Sequence, residues 1–303
     1  MGAVGKELSS NPVYLARKLR EVRHFDARAL EVGDEELERA VERRLEELRR
    51  LSSRLVGLIL DCACGFGVDM LALSGLDGGR ELVGVDLALE GLRRAREELR
   101  KRGGLAHLIQ ADACSLPLRP NAFDGAIISH MLHHHPLSLI KAIVAEVSRA
   151  LRPGGFLLVR EWCPADEGPS LREEVSRFLN ELAHLRELLE GLGELGARPE
   201  VRALLYEHFP AFGFGPLYSS ILRAVLESCG LKVLAMEVRP PRKRSVDELL
   251  RRIRDRIEGL SLSEAEKRFL LARLEELEEK ARLIHADGRE DMVLVEAVKA
   301  GGA

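Results

Sequence analysis

The stretch LILDCACGFG, residues 58–67, predicts the fold of this chain. A short apolar run ends in an acidic residue, Asp61, and glycines follow at positions 65 and 67. Because glycine lacks a Cβ and tolerates positive φ, such a turn lets backbone N–H groups approach a ligand closely. The pattern indicates a buried strand, a glycine-containing turn and the first residues of a helix.

Length and composition indicate a globular chain with a large core. The chain has 303 residues, of which 46% are hydrophobic and 31% charged. This length suits one large domain, or a core domain with an attachment. A net charge of -3 gives no overall attraction to nucleic acid or to an anionic membrane.

Localisation is predicted from what the sequence lacks. No apolar run approaches the roughly 20 residues needed to cross a bilayer, and residues 1–10 lack the pattern of a secretory signal. Five cysteines, an odd number, suggest free thiols. We therefore expect a cytoplasmic protein. Asparagine and glutamine are scarce beside abundant Glu and Arg, which suggests a heat-adapted source.

From residue 58 onward, short apolar runs alternate with longer segments of helical spacing. Alternating β and α units of this length indicate a parallel sheet with helices on both faces. The predicted strands are 58–61, 81–86, 105–110, 124–130 and 155–161, followed by 231–238 and 292–298. The predicted helices of this pattern are 88–102, 136–151 and 219–229.

Two further helical regions lie outside the alternating pattern. Residues 13–55 are predicted to be helical, with Asp34 as an N-cap. One face of this region is apolar and comprises Leu37, Val41, Leu45, Leu48 and Leu51. Residues 244–286 are also predicted to be helical, with a capping box at Ser263 and Glu266. Their apolar stripe comprises Leu270, Leu274, Leu277, Ala281 and Ile284.

Three successive predicted strands end in an acidic residue: Asp61, Asp86 and Asp112. In an open α/β sheet, ligands bind at the carboxyl ends of the strands, near the switch in strand order. Asp86, at the end of the second strand, is placed to accept hydrogen bonds from both hydroxyls of a ribose. Asp112 is placed to accept one from the exocyclic amine of adenine. One such aspartate alone would be read as a turn or cap residue, but three in order favour a nucleoside site.

The motifs in this region resemble those of the class I S-adenosylmethionine (SAM)-dependent methyltransferases, particularly the small-molecule group that includes quinone-biosynthesis enzymes. Residues 61–67 resemble the family's acidic-x-Gly-x-Gly-x-Gly motif, with Ala63 in place of the first glycine. Residues 85–87 resemble the ribose motif, and residues 111–113 the adenine motif. The segments 123–129, 132–134 and 151–155 resemble the rest of the core signature.

The resemblance implies the fold class and the domain organisation. It implies an α/β, Rossmann-like, doubly wound and mostly parallel seven-stranded sheet with an antiparallel last strand, a helical N-terminal cap and helical insertions. The implied segments are the cap (1–54), the SAM-binding core (55–163), a substrate lid insertion (164–218), the continued core (219–240), a helical insertion (241–288) and the last strand with the C-terminus (289–303).

The resemblance also implies the cofactor, SAM, with S-adenosylhomocysteine (SAH) as its product. Asp61 is expected near the methionyl amino group, Ser129 on the methionine side, and the turn is expected to bind despite Ala63. The full set of predicted cofactor-binding residues is Asp61, Cys62, Ala63, Gly65, Gly67, Asp86, Leu87, Asp112, Ala113 and Ser129. A nicotinamide dinucleotide is the alternative cofactor, but the third glycine that it requires would fall at Met70.

Candidate catalytic residues lie where the resemblance places the methyl group: His130 and His133 after the fourth strand, and Glu161 after the fifth. A base is needed only if the acceptor carries a proton of moderate pKa. The competing interpretation is that the histidines pack and cap, and that Glu161 is a structural hydrogen-bonding residue. No metal site is expected, since consecutive histidines point in different directions.

An aromatic-rich stretch around residues 164–218 is predicted to cover the site and to form an apolar pocket, although ordinary core packing explains the same rings. The predicted substrate-binding residues are Trp162, Tyr206, Phe209, Phe212, Phe214 and Tyr218. The predicted acceptor is a hydrophobic or planar small molecule, such as an isoprenoid quinone precursor or a lipid.

Two other functions stay open at the level of sequence. RNA methylation is suggested by a basic run between residues 239 and 256, but acidic residues interleave with it and favour a solvated helix face. A non-catalytic SAM-binding interaction protein is the other, although intact cofactor motifs argue against it. The apolar stripes of the outer helices fit either packing over the core or a homodimer.

Overall fold

The computed structural model describes residues 22–23, 25–104, 106–135, 137–163, 175, 178, 182, 217, 219–239, 246–260, 262–284 and 292–301. The chain forms two compact units. The core unit takes its described residues from Met1–Glu161, Ser220–Glu237 and Val293–Ala303, and the helical unit from Trp162–Ser219 and Val238–Met292.

The core unit is built on a seven-stranded sheet. Its strands are β1 (Gly57–Cys62), β2 (Arg80–Asp86), β3 (Ala106–Gln110), β4 (Phe123–Ser129), β5 (Leu151–Trp162), β6 (Leu231–Arg239) and β7 (Met292–Lys299). Their order is β3-β2-β1-β4-β5-β7-β6, mostly parallel and with an antiparallel last strand. The predicted Rossmann-like fold class is confirmed.

Helices precede or connect the strands of the core unit. They are α1 (Asp34–Arg49), α2 (Val68–Ser74), α3 (Leu89–Lys101), α4 (Leu137–Ala150) and α5 (Ser219–Ser228), and a 3-10 turn lies at Leu132–His134. Most predicted boundaries differ from these by one or two residues. β5 is the exception, because it begins at Leu151, four residues before the predicted start at residue 155. The pairing with β4 is irregular there, as Phe123 pairs with Leu151 but Gly125 with Phe156.

The register of the parallel strands brings the ends of β1, β2 and β4 to one edge of the sheet. Cys62 at the end of β1 pairs with Val85 on one side and with Ile128 on the other. Asp86 and Ser129 are the next residues of those two strands, so both lie at the same edge. Because β1 has β2 on one side and β4 on the other, this edge contains the switch in strand order where open sheets bind ligands.

The turn after β1 alternates residues in the left-handed region, with φ of 62° at Ala63, 53° at Gly65 and 85° at Gly67. Glycine adopts these angles freely, whereas an L-residue there costs about 1–2 kcal/mol. Ala63 therefore adopts a backbone conformation that favours glycine, at a cost in conformational energy.

Gly67 is the N-cap of α2 and lies against α3. A Cβ at this position would lie 2.9 Å from the Cβ of Ala95 and would impose positive φ on a non-glycine residue. We expect Gly67→Ala to lower the free energy of unfolding by about 2–4 kcal/mol, combining backbone strain with overpacking. Urea denaturation measures this change. Gly79→Ala is the control, because its Cβ would meet no atom within 4 Å and its φ is not positive; equal losses in both variants would contradict the argument.

The N-terminal helix α1 packs its apolar face into the same hydrophobic cluster as the sheet. Leu37 and Leu48 are buried in that cluster together with Ile59 of β1. Each fully buried leucine of this kind contributes about 1.5–3 kcal/mol. The predicted apolar face is present, with Leu45 only partly buried.

The predicted N-cap of α1 is wrong. Gly33 occupies the cap position in an extended conformation, without a side-chain cap bond, and Asp34 is the first helical residue. Asp34 and the two glutamates after it instead place negative charge at the positive end of the helix dipole.

The helical unit contains α6 (Val246–Gly259) and α7 (Glu264–Ile284). Their apolar faces meet in a cluster that includes Ile253 of α6, Leu274 of α7 and the buried ring of Phe178. The predicted capping box is present, as the N–H of Ser263 donates to Glu266 Oε2 at 2.7 Å. Within the part of the chain that the structure describes, no helix is long and apolar enough to span a bilayer.

Candidate active site

A cavity of about 400 Å³ opens at the carboxyl ends of β1, β2 and β4. Its wall includes predicted cofactor residues at or after the ends of four strands, β1 to β4. These are Ala63, Gly65, Asp86, Leu87, Asp112, Ala113 and Ser129. The volume lies within the range of about 300–1,000 Å³ that is typical of small-molecule sites.

Asp86 presents a carboxylate at the cavity wall with one hydrogen bond already made at each oxygen. Oδ2 accepts from the N–H of Gly65 at 2.7 Å, and Oδ1 accepts from the N–H of Ala88 at 2.8 Å. These bonds fix the plane of the carboxylate and leave each oxygen further acceptor capacity. Burial raises the pKa of Asp86, while the backbone hydrogen bonds oppose that rise. The geometry suits two adjacent hydroxyl donors.

Asp112 lies beyond β3 and also lines the cavity. Its Oδ1 accepts from the N–H of Cys114 at 2.9 Å, which closes a local turn. Asp86 and Asp112 therefore place two carboxylates on the β2–β3 side of the cavity. A ligand with hydrogen-bond donors along one edge would fit this side.

The turn after β1 uses most of its N–H groups internally. Those of Ala63 and Cys64 donate to the carbonyl of Val85 at 2.8 and 3.1 Å, and that of Gly67 donates to the carbonyl of Cys64 at 2.8 Å. The N–H of Gly65 is bonded to Asp86. In contrast, a Cβ at Gly65 would meet no atom within 4 Å, so the space in front of this residue is open. The turn offers room to a ligand, but few N–H donors for a diphosphate.

Asp61 lies behind the cavity wall. It is 3% exposed, and its Oδ2 has no hydrogen-bond partner among the described residues. Burial and the nearby Asp69 carboxylate raise the pKa of Asp61 well above its usual value. Cys62 and Gly67 likewise do not line the cavity. Contact between Asp61 and a methionyl amino group stays a prediction.

A buried ionic network underlies the cavity near the end of β4, and the sequence analysis missed it. Arg44 of α1 donates through Nε to Asp69 Oδ1, through Nη1 to Glu47 at 2.8 Å and through Nη2 to Ser129 Oγ at 3.2 Å. Although burial alone would raise the pKa of Asp69, the charge of Arg44 lowers it below its usual value. Arg160 of β5 adds an ion pair to Glu47 at 3.2 Å.

His130 follows Ser129 and lines the cavity with positive φ, 51°. Arg160 donates through Nη1 to its Nε2. Burial and the charge of Arg160 lower the pKa of His130 to about 4. His130 is therefore neutral at pH 7, and the Nε2 lone pair already accepts a hydrogen bond. These properties make His130 a poor base.

His133 and Glu161, predicted separately, are brought together. Glu161 is fully buried, and its Oε1 is paired with Nδ1 of His133. Its Oε2 accepts from the N–H groups of Met131 at 3.0 Å and Leu132 at 2.7 Å. This carboxylate fixes both the 3-10 turn and the imidazole. A carboxylate on Nδ1 leaves Nε2 as the reactive nitrogen of such a pair.

His133 and Glu161 do not line the cavity themselves. The His133 side chain is 23% exposed, and the centroid of its ring lies 4.0 Å from that of His134, which does line the cavity; the two rings are tilted by 41°. Among the described residues, no group of three His, Cys, Asp or Glu side chains is arranged to hold a metal ion.

The predicted substrate side is only partly within the described residues. Trp162 is 38% exposed. The other predicted substrate residues lie outside the described residues; they are Tyr206, Phe209, Phe212, Phe214 and Tyr218.

The segment before α1 forms another wall of the cavity through Val22, Phe25 and Arg28. It is anchored on α3, where the N–H of Glu90 donates to Asp26 at 2.8 Å. The ring of Phe25 packs edge-on against His134. From sequence, this segment is predicted to belong to the N-terminal cap and not to the site.

Comparison with known proteins identifies the same core. Residues 59–155 match the family model described as Methyltransferase domain. Over 119 residues the chain is 38% identical to the ubiquinone/menaquinone biosynthesis C-methyltransferase UbiE of Syntrophotalea carbinolica, covering 39% of this chain and 49% of that protein. It is 36% identical over 110 residues to the demethylmenaquinone methyltransferase of Thermus thermophilus, covering 36% and 49%. The chain thus spans about half the length of the curated relatives that it matches.

A solved structure extends the likeness of fold beyond the matched segment. A candidate methyltransferase from Bacillus halodurans C-125 superposes with a TM-score of 0.57 at 18% identity, covering 85% of this chain and 99% of that one. This likeness concerns the fold alone. The family match identifies residues 59–155 as similar to a methyltransferase domain, and the strand order is that of the Rossmann-like fold of class I SAM-dependent methyltransferases.

Proposed function

We propose that the chain is a SAM-dependent methyltransferase that acts on a hydrophobic or planar small molecule. One observation carries the proposal: the Asp86 carboxylate is held by two backbone N–H groups at the wall of a cavity at the switch in strand order. In this position a carboxylate receives the two hydroxyls of a ribose.

The residues present fit SAM better than a dinucleotide. SAM carries no phosphate, and four N–H groups of the turn after β1 are already used inside the protein. A dinucleotide would need such donors for its diphosphate. Open space at Gly65, together with Asp86 and Asp112, fits a nucleoside lying across the strand ends.

When bound, SAM supplies a methyl group activated by its sulfonium centre. The chain therefore contributes mainly position and exclusion of water. Asp86 and Asp112 are proposed to hold the nucleoside, and Ser129, which accepts a hydrogen bond from Arg44, to line the methionine side. The buried network of Arg44, Asp69 and Glu47 is proposed to keep this wall rigid.

For an acceptor that must lose a proton, we propose His133 as the general base and Glu161 as its positioning residue. A base oriented by a buried carboxylate is the usual arrangement in enzymes that remove such protons. The contact of Glu161 with Nδ1 supports this assignment. His130 is assigned to the cavity wall and not to proton transfer, because burial beside Arg160 lowers its pKa to about 4.

The proposed acceptor class rests on the predicted aromatic residues and on two relatives. Both relatives are named as methyltransferases of quinones. An isoprenoid quinone precursor, in its reduced form, is the first acceptor to test. From the sequence pattern and the composition, we also propose a cytoplasmic location and a heat-adapted source.

Calorimetric titration and a transfer assay test the proposal. We expect SAM and SAH to bind with one site per chain, and NAD⁺ not to bind. With methyl-labelled SAM, we expect label in reduced demethylmenaquinone and none in total RNA. Binding of NAD⁺ in place of SAH would contradict the cofactor, and label in RNA would favour the second class of acceptor.

The structure gives little support to an RNA surface on α6. Arg254 of that helix forms an ion pair with Glu278 of α7 at 2.7 Å, so its charge is neutralised within the helical unit. The apolar side of α6 is occupied by packing of residues such as Ile253 and Ile257. The other basic residues of that run alternate with acidic ones, as expected for a solvated helix face.

A further inference from the structure

Arginine side chains from two elements meet on one wall of the cavity. Arg43 and Arg44 are adjacent on α1, and Arg160 lies near the end of β5. All three line the cavity. The opposite side, near the ends of β2 and β3, carries Asp86 and Asp112. The cavity is therefore electrically polar, with Asp86 and Asp112 on one side and, on the other, the guanidinium groups together with Asp69.

The carboxylates beside these arginines are already shared. Asp69 accepts from Arg44, and Glu47 pairs with both Arg44 at 2.8 Å and Arg160 at 3.2 Å. Two carboxylates thus pair with two guanidinium groups, and the buried Asp61 behind them forms no ion pair with either among the described residues. Arg160 also donates to His130, which is neutral at pH 7 and brings no negative charge.

Arg43 is paired with neither of these carboxylates. Within the described ranges it forms no ion pair and no hydrogen bond, although it lines the cavity. Arg28, the other arginine on the wall, is paired with Glu36 at 2.9 Å. The positive charge of Arg43 therefore adds to that of Arg160, close enough that the two repel each other.

We propose that Arg43, supported by Arg160, forms a carboxylate-binding subsite of this cavity. A guanidinium group binds a carboxylate through paired N–H donors, and such charge-assisted bonds are stronger than neutral ones. An anion here removes the repulsion between neighbouring arginines. The inference rests on the proposed function and states where the carboxylate of a bound ligand lies in the cavity.

Two ligands could bring the carboxylate: the amino-acid end of the cofactor, or the acceptor. Matched probes separate them. SAH carries an amino-acid carboxylate, whereas 5′-methylthioadenosine has the same nucleoside and a thioether without it. For the acceptor, 4-hydroxybenzoate titrated into the SAH-loaded protein is a planar carboxylate probe.

The variant is Arg43→Met, which keeps an unbranched side chain and removes the charge. Charge-assisted hydrogen bonds of about 1.5–3 kcal/mol correspond to a loss of roughly 10- to 150-fold. If the carboxylate is the cofactor's, calorimetry will show this loss for SAH and less than a twofold change for 5′-methylthioadenosine. If it is the acceptor's, both nucleosides bind unchanged, and the loss is seen for 4-hydroxybenzoate.

Arg39→Met is the control. Arg39 lies one turn earlier on α1, its side chain is 63% exposed, and it does not line the cavity. The Arg39→Met variant should therefore bind all three probes as the wild type does. The subsite is overturned if Arg43→Met binds all three like the wild type, or if it loses SAH and 5′-methylthioadenosine equally. If the wild-type protein binds neither nucleoside, the proposed function itself is overturned, a result distinct from a failure of the subsite alone.

Discussion

Replacing Asp86 with alanine will lower the affinity for SAH by about 100-fold or more. Two hydrogen bonds from ribose hydroxyls to a carboxylate are worth about 1.5–3 kcal/mol each, and 1.4 kcal/mol is a factor of ten. The same change removes the acceptors of the Gly65 and Ala88 N–H groups, so the turn after β1 loses support as well. Calorimetry measures the affinity, and circular dichroism checks that the fold survives.

Two further variants make the Asp86 result specific. Asp86→Asn keeps one acceptor oxygen and should fall between the wild type and Asp86→Ala. Glu81→Ala removes an exposed carboxylate of the same strand, which is paired with His107, and should leave SAH affinity unchanged. An affinity within twofold of wild type in a folded Asp86→Ala protein would refute the assignment of the ribose.

The second large effect is expected at His133. If this residue is the general base, His133→Ala should lower kcat for methyl transfer by about 10²- to 10⁴-fold. The affinity for SAH should stay unchanged, since His133 lies outside the cavity wall. The assay is transfer of labelled methyl from SAM to reduced demethylmenaquinone, read as kcat and KM across pH.

The His133 variant has a close control within the chain. His107 and Glu81 form another histidine–glutamate pair at 2.9 Å. Both side chains are exposed and lie near the starts of β3 and β2, away from the strand ends that form the cavity, so His107→Ala should leave kcat unchanged. Glu161→Gln should also lower kcat, because it removes the charge that orients the imidazole. If His133→Ala keeps its full rate and its pH profile, the histidine serves packing only.

Most of the sheet could be predicted from sequence because its signals are local. Apolar runs such as 58–61 and 81–86 are short, and each ends in an aspartate. The edge where Asp86 and Ser129 meet follows from the general rule for parallel strands. The pairing of Phe123 with Leu151, which lies before the predicted start of β5, could not be predicted, because it depends on the neighbouring strand.

The ionic network was missed, although a signal for it was present. Arg44 lies in the apolar stripe of α1, four residues before Leu48 and three after Val41. A charged residue at such a position must be paired when buried. Its partners Asp69 and Ser129 lie 25 and 85 residues away along the chain, so the identity of the pairs required the fold.

The pairing of His133 with Glu161 likewise could not be predicted without the fold. Each residue was a candidate on its own, from its place after a strand, but 28 residues separate them. Only the register of β4 with β5 brings the two strand ends together. The prediction that Asp34 is the N-cap was wrong for a different reason. Gly33 adopts the extended conformation of the cap position, so Asp34 lies in the first turn of the helix.

The most direct test of a nucleoside site at these strand ends is a crystal structure of the protein grown with SAH. We expect both ribose hydroxyls within hydrogen-bond distance of the Asp86 carboxylate and the adenine beside Asp112. A nucleoside bound elsewhere on the protein, or a ribose away from Asp86 in an occupied cavity, would contradict the proposed site.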